Sequence, residues 1–75
     1  NTGWHSNCNV VGLWTIDQDR NAWAYFDCVG GWRKISADND NIFFNMLAQL
    51  IAAKAAGRPV NFYEENSVIK QLYVL

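Results

Sequence analysis

The chain is poor in most of the residues that catalysis and nucleic-acid binding require. It has one histidine, two cysteines, one proline and one methionine in 75 residues. The lone histidine, His5, stands in the N-terminal segment, where an incidental residue is expected rather than a catalytic one. No zinc-ligand spacing, glycine-rich phosphate loop or nucleophile elbow is present, so no enzyme, metal or cofactor is expected. Asp38 and Asp40 alternate with asparagines in the manner of a calcium loop. The glycine and distal glutamate of that motif are missing, and helix capping accounts for them better. Charged residues make up 17% of the chain, against roughly 25% in ordinary soluble domains. Net charge is −1 with no basic run, which argues against binding a phosphate backbone. No apolar run reaches the about 18 residues of a membrane helix, and the most apolar segment is interrupted by Asn45, Gln49 and Lys54, so no membrane insertion is expected.

What the chain does have is apolar and aromatic surface: 51% hydrophobic and 15% aromatic, with four tryptophans. Residues 1–75 are expected to form one small domain, with 1–7 a flexible N-terminal segment. So short a chain buries little core and commonly leans on a disulfide, a metal or a partner subunit. Residue 1 is Asn, the kind of start that signal-peptide removal leaves, and with two cysteines the expectation is a secreted protein.

Cys8–Ile16 is rich in branched and aromatic residues and reads as a strand, Asp17–Asn21 as a polar turn, and Ala22–Cys28 as the return strand. Setting Cys8 opposite Cys28 places Val10 against Phe26, Gly12 against Ala24 and Trp14 against Ala22, so large side chains meet small ones. A cross-strand disulfide between Cys8 and Cys28 is then within reach. The other face carries Val11, Leu13, Trp23 and Tyr25, so both faces need cover. Trp32–Ser36 reads as a third strand. A helix is predicted from about Ile42 to Ala56, capped by Asp40 or Asn41 and stopped by Gly57 and Pro59. Val60–Glu65, a tight turn at Asn66–Ser67 and Val68–Leu75 complete a hairpin.

The predicted class is mainly β with one helix (α+β): a small five- to six-stranded OB-type Greek-key barrel in the order strand-strand-strand-helix-strand-strand. At about 100° per residue, Asn45, Gln49, Ala52 and Ala56 form one narrow helical stripe while bulky apolar side chains spread over the rest. One sheet cannot cover that much, so oligomerisation through the helix is expected.

The stretch "NMLAQLIAAKAAGRPVNF", with Asn45, Leu50, Ala53, Gly57 and Val60 at matching positions, resembles the receptor-binding B subunits of A–B-type bacterial toxins that assemble as rings of five. The start "CNVVG" with the acidic turn at Asp17 and Asp19 is similar to the first hairpin of the Shiga-toxin B subunit, and the likeness spans Cys8 to Leu75. The pairing of both cysteines within the first hairpin is nearer the subtilase-cytotoxin arrangement, and Phe44 stands where Shiga-type subunits carry a glycan-contacting tryptophan. The resemblance implies a homopentamer whose pore is lined by Asn45, Gln49, Ala52 and Ala56. It also implies a host-glycan ligand on a glycolipid or glycoprotein, and an associated enzymatic A subunit. Aromatic faces and short polar groups read sugars, so the candidate carbohydrate-binding residues are Asp17, Asp19 and Arg20, Trp32 and Arg33, and Asn66 and Ser67. The rival readings are a secreted structural or inhibitory oligomer without glycan activity, and a single-stranded nucleic-acid-binding OB domain.

Overall fold

The computed structural model describes residues 2–75. Strands β1 (Gly3–Cys8), β2 (Val10–Thr15), β3 (Ala22–Phe26) and β4 (Gly31–Ile35) precede helix α1 (Asp40–Ala56), and β5 (Val60–Glu65) and β6 (Val68–Val74) follow it. All six strands belong to one sheet in the order β1-β5-β6-β4-β3-β2. Its two outermost strands, β1 and β2, are separated in sequence only by Asn9, so the chain itself links the two ends of the sheet through that residue. β4 and β6 pair parallel while every other pair is antiparallel. The predicted class and helix position hold: mainly β with a single helix between the fourth and fifth strands.

The barrel interior is filled by alternate residues of each strand, as a period of two requires. Phe26 and Phe62 stack at 4.2 Å between ring centroids, both fully buried, and Ile35, Leu50, Val60 and Ile69 close around them. Each phenylalanine removed from water contributes about 1.5–3 kcal/mol.

Three departures from the sequence reading have physical causes. The segment expected to be flexible, residues 1–7, holds β1, with Trp4 opposite Tyr63 and His5 opposite Phe62 (residue 1 lies outside the described residues). The first hairpin keeps Val10 opposite Phe26 but slips one residue at a bulge. Gly12 therefore faces Tyr25, Leu13 faces Ala24 and Trp14 faces Trp23, instead of Gly12 against Ala24 and Trp14 against Ala22. A bulge bends its strand and increases twist, and here it sends Leu13 to the core while Trp14 stays half exposed. Finally, the helix cap is Asn39 rather than Asp40 or Asn41: the Asn39 side chain accepts from the Ile42 N–H at 2.9 Å, and Asp40 occupies the first turn.

The disulfide joins Cys8 to Cys28, with Cα atoms 5.1 Å apart. It fastens the corner where the chain passes from β1 to β2 onto the turn after β3. Asp27 reinforces that corner by accepting from the Asn9 backbone N–H and from Asn9 Nδ2, both at 2.9 Å. These bonds from Asn9 hold the Asp27 carboxyl below its ordinary pKa.

The helix stops as predicted: Gly57 takes φ 66°, its N–H reaches back to the carbonyls of Ala53 and Lys54, and Arg58 N–H also bonds to Ala53 at 2.9 Å. Phe43, Met46, Leu47, Leu50 and Ala53 face the barrel. Asn45, Gln49, Ala52 and Ala56 are all exposed, and beside them runs a second exposed stripe of Phe44, Ala48, Ile51 and Ala55. Phe44 is 59% and Ile51 51% exposed.

Candidate functional site

The strand period separates Trp32 from Arg33. Consecutive side chains of a strand point to opposite faces, so Trp32 stands outside the barrel and Arg33 turns inward to Glu64. The seven candidate carbohydrate-binding residues accordingly divide among three places.

The first is an aromatic wall on the outside of β2, β3 and β4. Register puts Gly12, Tyr25 and Trp32 in one cross-strand row and Trp14, Trp23 and Lys34 in the next. Trp32 meets Tyr25 edge-on at 5.4 Å and Trp14 at 5.6 Å, and Trp14 lies 6.1 Å from Trp23. Gly12 makes this possible. A Cβ there would stand 3.3 Å from Trp32 Cη2, so the indole lies across the tyrosine row on bare backbone. Trp14 is 48% and Trp32 40% exposed, and neither belongs to the buried core cluster. Edge-to-face packing sets the rings against one another while leaving part of the tryptophan surfaces to solvent.

The second place adjoins the wall through the turn between β2 and β3. Asn21 Oδ1 accepts the Trp23 indole N–H at 2.8 Å, and Asn21 Nδ2 donates to Gln18 Oε1 at 2.7 Å. Between this turn and the first half of α1 lies a cleft of about 340 Å³, floored by Phe43, Phe44 and Leu47 and walled by Gln18, Asp19, Arg20 and Asn21. Arg20 Nε lies 3.7 Å from Asp40 Oδ1, tying turn to helix, and Asp17 is exposed outside the cleft lining. A solvent-accessible pair of that kind contributes little stability.

The third place is structural. Glu64 is fully buried, and its Oε2 accepts from Arg33 Nε at 2.9 Å and from His5 Nε2 at 2.6 Å. Its Oε1 accepts from the Ser67 backbone N–H at 3.2 Å. Burial pushes the Glu64 carboxyl up, but the hydrogen bonds and charge of Arg33 and His5 outweigh it and hold the group below its usual range. Arg33 is therefore committed to a buried partner. Asn66 and Ser67, at φ 50° and 69°, make the two-residue turn that places the donor. His5, expected to be incidental on a mobile segment, is a fixed member of this cluster.

Sequence reasoning singled out Trp32 but not Trp14 or Tyr25, whose exposure depends on the bulge and the row of Gly12. Among the described residues, no group of three or more His, Cys, Asp or Glu could hold a metal ion, and no helix is long and apolar enough to cross a membrane. The sequence matches no protein-family model and no curated protein.

Proposed function

We propose that the protein is a secreted, homo-oligomeric carbohydrate-binding subunit, a ring of five in its expected form, that recognises cell-surface glycan and carries an associated enzymatic A subunit to it. The observation that carries this reading is the aromatic wall of Trp14, Tyr25 and Trp32, with both tryptophans half-exposed, beside an apolar-floored cleft with a polar rim. A pyranose presents an apolar C–H face and a rim of hydroxyls. The first stacks on the negative face of an aromatic ring, and the second bonds to short polar groups such as Gln18, Asp19, Arg20 and Asn21. Shallow sites of this kind bind weakly one at a time. Several copies on one assembly raise the overall avidity by about a hundred-fold or more, which gives the apolar outer stripe of α1 a purpose. The resemblance to the ring-forming toxin B subunits supports the same reading.

A glycan array probed with the disulfide-intact protein tests it. Binding to sialylated or galactosyl structures that is reduced in Trp32→Ala, with the fold retained by circular dichroism, is the expected result. Absence of any glycan signal would leave a structural or inhibitory oligomer. Salt-sensitive capture of single-stranded oligonucleotides would instead make the wall a base-stacking platform.

A further inference from the structure

A second aromatic surface lies on the outside of β1, β5 and β6. Register aligns Trp4, Tyr63 and Gln71 in one row, with Asn61 and Tyr73 in the next. Trp4 lies 5.5 Å from the Tyr63 ring and 6.1 Å from the Tyr73 ring, tilted at 53° and 60°. Trp4 is 50% and Tyr73 49% exposed, and none of the three rings belongs to the buried core cluster.

Two polar groups of this face, Asn61 and Tyr73, are held in orientation. Asn7 takes φ 56°, which aims its backbone N–H at Asn61 Oδ1, 2.8 Å away. With its oxygen held, Asn61 directs Nδ2 to Tyr73 Oη, also at 2.8 Å. The tyrosine oxygen thus accepts from Asn61, and its own O–H is left to donate elsewhere. The exposed Gln71 amide adds a donor and an acceptor beside the rings. Groups already held in place lower the ordering cost of binding.

Charge selects the ligand. Trp4, Asn61, Tyr63, Gln71 and Tyr73 carry no formal charge, whereas carboxylate and phosphate ligands are held by arginine or lysine. We propose that the outer face of β1, β5 and β6 is a second carbohydrate site, taking a neutral saccharide, with Trp4 as the stacking platform and Tyr73 and Gln71 as hydroxyl partners. This rests on the carbohydrate-binding reading of the protein and assigns a second surface and a ligand class to it.

Nuclear magnetic resonance titration of the disulfide-intact chain with lactose and with chitotriose, two neutral probes, tests the site, with sialyllactose as the acidic control. At least one neutral probe is expected to shift the Trp4 indole and Asn61 side-chain amide signals. Trp4→Ala should weaken that binding about ten-fold or more, and Tyr73→Phe, which keeps the ring, about three- to ten-fold. Trp32→Ala should leave it unchanged. Shifts confined to Trp14 and Trp32, or shifts here with sialyllactose only, would overturn this site while leaving the proposed function standing. So would a fall in oligomer mass in Trp4→Ala, which would make the face a subunit contact. No response to any of the three sugars overturns this site, and a blank glycan array as well would remove the carbohydrate reading altogether.

Discussion

His5 and Glu64, 59 residues apart in sequence, are joined by a 2.6 Å hydrogen bond from His5 Nε2 to a carboxylate with no solvent exposure. The bond holds β1 against β5, and the same carboxylate holds β4 through Arg33 and the last hairpin turn through Ser67. One buried acid therefore organises the end of the barrel.

Acid should loosen that end. Because the folded Glu64 carboxyl is held below its ordinary value of 4.5, its contribution is fully present above that value. It is lost as pH falls below it, through the lower folded value. Asp27, also lowered, adds in the same direction. Thermal melts between about pH 7 and pH 3 should show stability falling on the acid side. Glu64→Gln leaves Arg33 without its anion and should cost about 3–5 kcal/mol at neutral pH, with a shallower acid limb than the parent. An unchanged acid limb would show that Glu64 is not the group responsible.

Reduction should be costly as well. The disulfide closes a loop with a sequence separation of 20, for which chain entropy gives about 3 kcal/mol. Replacing both cysteines by alanine should lower the denaturant midpoint accordingly, with a somewhat steeper unfolding slope because the uncrosslinked unfolded chain exposes more surface. The Asn9–Asp27 bonds keep the corner in place in the folded state, so the far-ultraviolet spectrum should be retained.

Gly12 is a test of the aromatic wall. In Gly12→Ala the new methyl meets Trp32 Cη2 at 3.3 Å, and the half-exposed indole is free to move outward. Stability should change by less than about 1 kcal/mol, while the near-ultraviolet circular dichroism of the coupled Trp14, Tyr25 and Trp32 rings changes. An unaltered spectrum would contradict the packing described.

Much of this fold was legible because local signals agreed with one another. Gly57 and Pro59 stop the helix, Val60–Glu65 alternates as a half-buried strand, and Asn66–Ser67 suits a tight hairpin turn. The strand Gly3–Cys8 was hidden because its sequence, GWHSNC, has no branched apolar run, and its partners are Tyr63 and Glu64 at the far end of the chain. The bulge was hidden because VVGLW satisfies either register locally, and closure of the barrel decides between them. For the candidate site, Trp32 was recognisable, but its neighbours in space come from the slipped register. Arg33, adjacent in sequence, is taken inside by the strand's alternation. The alternation of Asp and Asn in "DNDN" left the cap undecided between neighbours, and geometry selects Asn39.

The outer stripe of α1 underlies the proposal that the protein works as an assembly. Phe44 and Ile51 remain more than half exposed on one chain, on a helix whose inner face is already covered by the barrel. Native mass spectrometry at micromolar concentration is the most direct measurement. The expected result is a species of five times the 8.6 kDa chain mass, falling to a single chain in Ile51→Glu. A parent protein that runs as one 8.6 kDa chain would contradict it.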